Sequence, residues 1–183
     1  MCNRIAYTTL FILYLAVSAG ARAQAPAGEL SALDYIQIEQ LIAKYARAID
    51  TCSNNGYDYA DLFTLDGAFV PSFDGKRGNA IAGRDRLAAV SGGGSNGCKN
   101  VPWIQQGVRH IYTNHVITPT ADGATGVVDM LMIGLGGDPN KIEYDGYYED
   151  TYVRTPDGWR FRERVHHALL REGQRVTAPP AAN

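Results

Sequence analysis

The chain has 183 residues, 45% of them hydrophobic and 20% charged. That length and composition exclude a disordered or fibrous polymer and suit one domain with a tail. The 17 basic and 19 acidic residues leave a formal charge of −2, which excludes a nucleic-acid binder that works by neutralising phosphates.

In chain order, the first feature is a targeting segment. Arg4 is a positive n-region, Leu10–Val17 an apolar h-region, and Ala21-Arg22-Ala23 a small-x-small cleavage site. The apolar run is shorter than the ~20 residues a membrane-spanning helix needs. Residues 1–23 therefore read as a secretory signal peptide, and the protein is expected to be exported, to the periplasm or beyond, with no membrane attachment after cleavage. Removing them takes away Arg4, Arg22 and Cys2 but no acid, so the charge falls to −4. The remaining Cys52 and Cys98 then share an oxidising compartment, where a disulfide is the expectation and two buried thiols the alternative. Two cysteines and four scattered histidines show no ligand spacing, so no metal is expected.

Residues 24–30 form a short leader, 31–170 the domain and 171–183 a flexible C-terminal tail. Between Leu33 and Asp50, Ile38, Ile42, Tyr45 and Ile49 recur at the 3.6-residue period of an amphipathic helix, with Ser31 and Asp34 as its start signal. Cys52–Gly56 breaks it. Tyr57–Phe63 reads as a short helix, Ala68–Phe73 as a strand and Arg84–Val90 as a third helix. Residues 91–107 are Gly-, Ser- and Asn-rich, and read either as a lid hinged on glycines or as a loop without order. The period then changes to two, in four strands over Val108–Thr118, Thr125–Leu135, Ile142–Arg154 and Trp159–Leu169, separated by Gly/Asp/Pro turns. Helices first and a meander afterwards make an α+β fold.

A few residues are suited to chemistry. Asp50 ends the first helix, where the negative end of the helix dipole disfavours a carboxylate. Such an acid is either solvated or held there for a purpose. His110, Tyr112 and Asn114 alternate on one face of a strand, with Arg109 and His115 on the other. An Asp–His pair fixes the imidazole tautomer and leaves the second nitrogen to accept a proton. Tyr45, Tyr112, Tyr147 and Tyr148 are phenols that can polarise a carbonyl or protonate a leaving hydroxyl. Arg162, Arg164 and His166 alternate along the last strand, either as an anchor for an anionic or phenolic substrate or as a solvated face. Asp129 is a second strand carboxylate, either buried or at an edge.

The runs Tyr35–Asp50, Leu62–Phe69, Gly83-Arg84-Asp85, Arg109–Asn114, Gly146–Asp150 and Asp157–Arg160 resemble SnoaL-like proteins of the nuclear-transport-factor-two-like superfamily. The resemblance spans roughly residues 30–168. It implies a cone-shaped α+β barrel, a strongly curved antiparallel sheet wrapped around N-terminal helices. By the same resemblance Asp50 and His110 take the places of the lyase dyad, and Tyr45 that of the bile-acid dehydratase's active-site tyrosine. The second histidine of scytalone dehydratase falls near Gly134, and the bile-acid enzyme's strand aspartate and late arginine fall near Met132 and Ala168. Arg164 is the candidate for the dehydrochlorinase's arginine. The base is kept while the acid and anchoring groups differ, which implies a different substrate.

The expectation is a cofactor-free lyase: a dehydratase or carbon–carbon lyase releasing water or formaldehyde from a hydroxylated aromatic or polycyclic small molecule, such as a lignin-derived diaryl dimer. Asp50, His110 and Tyr45 would be catalytic, with Tyr112, Asn114, Asp129, Tyr148 and Arg164 lining the substrate site and Trp103 stacking on it. An isomerase of the ketosteroid type or an epoxide hydrolase using the same pair, and a binding module without turnover, are the alternatives. The superfamily implies a homodimer or homotrimer, with Tyr147, Tyr148 and Tyr152 offering apolar area on both faces of their strand.

Overall fold

The computed structural model describes residues 28–99 and 101–169, except for the side chains of 102, 103, 135 and 143–145. The signal-peptide assignment, most of the leader and the C-terminal tail lie outside the described residues, as does the Trp103 side chain.

Helix α1 (Ala32–Thr51) starts on a capping box. Ser31 Oγ accepts from the Asp34 backbone N–H, while Asp34 Oδ2 accepts from the Ser31 backbone N–H at 2.9 Å and its hydroxyl at 2.8 Å. Its apolar stripe (Ile38, Leu41, Ile42, Tyr45, Ala48 and Ile49) is buried against the sheet. Asp34 does more than cap. It is buried, and Oδ1 also accepts from Trp159 Nε1 at 3.2 Å and from Arg154, so the helix start is tied to the last hairpin. Burial opposes its charge, but the donors Arg154, Ser31 and Trp159 outweigh burial and hold the carboxyl at about 2.

After α1 come α2 (Tyr57–Ala60), the strand β1 (Phe63–Phe73), the short strands β2 (Lys76–Arg77) and β3 (Ile81–Ala82), and α3 (Arg84–Val90). Then follow α4 (Pro102–Gln105) and the meander β4 (Arg109–Thr120), β5 (Gly123–Ile133), β6 (Ile142–Thr155) and β7 (Gly158–Ala168). Two expectations change here. Phe63 opens β1 instead of closing the second helix, because it pairs with Phe161. The sheet is also mixed and open, not an antiparallel barrel. Its order is β2-β1-β7-β6-β5-β4 with β3 on β1, and β1 runs parallel to β7. A parallel neighbour needs a long crossover, and here helices α3 and α4 and three meander strands supply it.

The Gly-rich segment after α3 is packed. Ser91, Gly92 and Gly93 are buried, and a Cβ on Gly93 would lie 2.0 Å from the Asn55 carbonyl oxygen, so only glycine lets these two backbones meet. Cys52, the left-handed C-cap of α1 (φ 49°), is joined to Cys98 by a disulfide across 46 residues. The glycines in 92–94 thus serve close approach, which the lid reading did not anticipate.

Two outcomes test these restraints. By the chain-entropy relation a loop of this length is worth about 4 kcal/mol, so Cys52→Ala/Cys98→Ala should lower the urea midpoint accordingly and abolish its sensitivity to reductant. The Asp34 carboxyl titrates at 3.8 ordinarily and at about 2 in the fold, so its contribution is complete above pH 4 and lost as pH falls towards 2. Asp34→Asn should remove about 2 kcal/mol of stability at pH 7 and flatten the acid limb of the denaturation curve over that window.

Candidate active site

Asp50 lies in the last turn of α1 and His110 at the start of β4, sixty residues apart in sequence. His110 Nδ1 and Asp50 Oδ1 are 2.5 Å apart, and the His110 backbone N–H reaches both carboxylate oxygens at 3.2 Å. An ionised carboxylate can only accept, so Nδ1 carries the proton and Nε2 is left with its lone pair. The side chains retain 5% and 9% exposure for Asp50 and His110, which limits competing water at the pair. Nε2 has no hydrogen-bond partner among the described residues. The helix dipole disfavours a charge at Asp50; two donors from one residue, Nδ1–H and a backbone N–H shared between both oxygens, offset that.

Tyr112, two residues along β4, stacks on His110 with ring centres 6.4 Å apart and 14° between planes. Behind it the phenols pack on one another. Tyr45 is buried, its hydroxyl sharing a hydrogen bond with Tyr59 at 3.1 Å, and its ring meets Tyr112 and Tyr148 edge-on at 5.9 Å each. Burial pushes the Tyr45, Tyr112 and Tyr148 phenols above their ordinary value, against the pull of Arg164, so they stay neutral at physiological pH. Tyr45 and Tyr148 therefore contact Arg164 and other rings, with no face open to water.

Arg164 is the least expected resident. Its guanidinium is completely buried, with Cζ 4.0 Å from the Tyr45 ring centre, 4.1 Å from Tyr148, 4.7 Å from Phe161 and 5.0 Å from Tyr112. Asp150 lies across β6–β7, with Oδ1 3.4 Å from Arg164 Nε, and accepts from Tyr152 at 2.7 Å. Burial raises the Asp150 carboxyl to about 6, which Arg164 and Tyr152 only partly counter.

Two irregularities put these groups where strict alternation does not. In β4, Thr113 pairs with Asp129 but Val116 with Val127, so Asn114 and His115 together oppose one residue. This bulge, with Asn114 at φ 54°, reverses the faces beyond it. Asn114 thus leaves the face of His110 and Tyr112; it is exposed and donates to Asp129 Oδ2 at 2.8 Å on the outside of the sheet. The expected substrate-site roles of Asn114 and Asp129 are corrected accordingly. His115 turns inward instead, its Nε2 buried without a hydrogen-bond partner among the described residues. Burial lowers its pKa, Arg164 adding to this and Glu39 opposing it. In β7, Arg162 is the extra residue between the Phe161 and Glu163 pairs, so it faces solvent beside Asp66 while Arg164 turns inward. The arginine row of the sequence reading is split by that bulge. An asparagine inside the strand, a residue that tolerates positive φ, was the one available signal for the first irregularity; nothing in the sequence marked the second.

Among the described residues, no group of three or more His, Cys, Asp or Glu side chains is arranged to hold a metal ion.

The SnoaL-like domain family matches residues 31–165. "Uncharacterized protein Rv2910c" of Mycobacterium tuberculosis is 30% identical over 136 residues, 72% of this chain and 83% of its own length, and Mycobacterium bovis Mb2934c matches equally. Among solved structures, a single-substitution variant of Rv3472, a function-unknown protein of M. tuberculosis, is 26% identical with a TM-score of 0.56, over 75% of this chain and 72% of that one. A Novosphingobium aromaticivorans protein described as "Putative Scytalone Dehydratase" superposes with a TM-score of 0.59 over 82% and 95%, at 21% identity, a likeness of fold.

The geometry predicts a strongly downfield Nδ1 proton for His110 in NMR of the full chain. It should vanish in Asp50→Asn and persist in Tyr112→Phe.

Proposed function

The chain belongs to the SnoaL-like family, and from that membership and the Asp50–His110 pair we propose that it is a cofactor-independent lyase. The substrate class is a hydroxylated aromatic or polycyclic molecule, a lignin-derived diaryl compound among them, losing water or formaldehyde. The observation that carries the reading is the 2.5 Å contact between His110 Nδ1 and a buried aspartate that also accepts the histidine's own backbone N–H. That arrangement supports His110 Nε2 as a general base.

In a dehydration, Nε2 takes a proton from the carbon next to the one bearing the hydroxyl. The electrons of that C–H bond form the new double bond as the C–O bond breaks. The imidazolium, stabilised by the Asp50 carboxylate, returns its proton to the departing hydroxide, and water leaves. Proton, electron pair and leaving group balance with no further reactant. Tyr45, proposed from the resemblance as catalytic, acts in this reading only as packing beneath Tyr112 and Arg164, since its hydroxyl is bonded to Tyr59.

The disulfide supports a working place outside the reducing cytosol, after loss of residues 1–23. Assembly as a homodimer or homotrimer is part of the same proposal.

Mass spectrometry of the purified chain against a panel of hydroxylated aromatic and polycyclic compounds tests the reading. Loss of water or formaldehyde is expected, reduced about 10²–10⁴-fold in both His110→Ala and Asp50→Asn. Product of unchanged mass would make the protein an isomerase, and uptake of water a hydrolase. Turnover that survives both substitutions would remove the pair from the reaction. Thermal shifts without turnover would point to a binding module.

A further inference from the structure

Arg164 holds a full charge in the interior and leaves much of its bonding capacity unused. Nε, Nη1 and Nη2 are all buried and none has a hydrogen-bond partner among the described residues. Aromatic rings cover it, and none of their hydroxyls accepts from its N–H groups. Asp150 stands 3.4 Å away without the alignment of a hydrogen bond, and its Oδ1 is itself unbonded. An unmet buried donor is costly, and a charged one more so. A guanidinium is shaped to receive two oxygens of one anion at once. Tyr112 OH and His115 Nε2 are likewise buried without a hydrogen-bond partner among the described residues.

The Tyr112 ring connects this cluster to the proposed base. It lies nearly parallel to the His110 imidazole and within 5.0 Å of Arg164 Cζ. A flat phenol thus already occupies the space between Asp50–His110 and the guanidinium, with its hydroxyl idle. We propose that this space is a closed receptor for an aromatic oxyanion, a carboxylate or an ionised phenol, whose charged oxygen binds Arg164 and whose ring takes the place of the Tyr112 side chain beside His110. The assignment rests on reading the His110 face as the reaction site, and narrows its substrates to those that carry a negative oxygen one ring away from the reacting carbon. A neutral hydroxyl can accept from these N–H groups but brings neither the charge nor the two-oxygen match to the guanidinium fork, so charge is the specificity filter. The bulge at Arg162 is what builds it, because it turns Arg164 inward.

The test uses the full chain with ¹⁵N-labelled arginine, following side-chain Nε–Hε resonances, with Arg164 assigned from its loss in Arg164→Lys. Probes are para-hydroxybenzoate, para-nitrophenolate and the neutral para-hydroxybenzyl alcohol. At least one anion should shift the Arg164 resonance saturably and bind about tenfold or more tightly than the alcohol; which of the two does so separates a carboxylate receptor from a phenolate receptor. The preference should fall below about twofold in Arg164→Met/Asp150→Leu, which removes both buried charges together. Tyr112→Ala should strengthen binding of the aromatic anion while leaving acetate unchanged. No Arg164 shift with either anion, equal affinity for the alcohol, or a preference that survives the double substitution would each overturn the assignment. His110→Ala should keep the anion preference, so a protein that binds but does not turn over refutes the lyase and not the receptor.

Discussion

One helix lying across one sheet, pinned at each end by a buried carboxylate, is the constraint on which the rest depends. Asp34 binds the start of α1 to Arg154 and Trp159 on the last hairpin, and Asp50 binds its end to His110 on the strand at the far side of the sheet. Sixteen residues of helix span roughly 24 Å, so the two contacts brace the sheet across its width. The apolar stripe between them supplies the burial, while the carboxylates set the helix's register along the sheet. A shift of one turn would break both at once. That is how an aspartate contributed by the first element meets a histidine from the fourth strand closely enough to set its tautomer.

The same bracing defines the interior as a polar enclave in an apolar shell. Tyr45, Tyr59, Tyr112, Tyr148, Tyr152 and Phe161 fill the space under α1, and the charge among them belongs to Arg164 and Asp150. A hydrophobic pair of equal volume would pack there at less cost, since desolvating two ions is expensive and their contact is poorly aligned. Stability alone therefore gives no reason for Arg164 to be inside, which is the ground for the recognition role proposed above. The disulfide acts on the other side of Asp50. Cys52 caps the helix two residues on and is held to the glycine-rich segment, which limits fraying in the turn that carries the carboxylate.

Much of this was legible in the residues. Ser31 and Asp34 announced the helix start, and the spacing of Ile38, Ile42, Tyr45 and Ile49 announced its buried face. The change from a period of 3.6 to a period of two marked where the meander begins. The resemblance added the family and singled out Asp50 and His110. Faces were harder. Alternation placed Asn114 beside Tyr112 and His115 outside, and the bulge exchanged them; it also placed Arg162 and Arg164 on one face, and the β7 bulge separated them.

What the sequence determined by itself was local: the long first helix, the four meander strands with their turns, and which residues carry chemistry, because helix capping and side-chain periodicity act over a few neighbours. Only the tertiary structure decided that β1 lies parallel to β7, that Asp50 meets His110 across sixty residues, and that Arg164 is caged by aromatic rings. Strand pairing is a choice among distant partners made by the whole core. A one-residue bulge costs little locally, yet it reverses every side chain beyond it, so the inward-facing set is settled when the sheet closes on the helix.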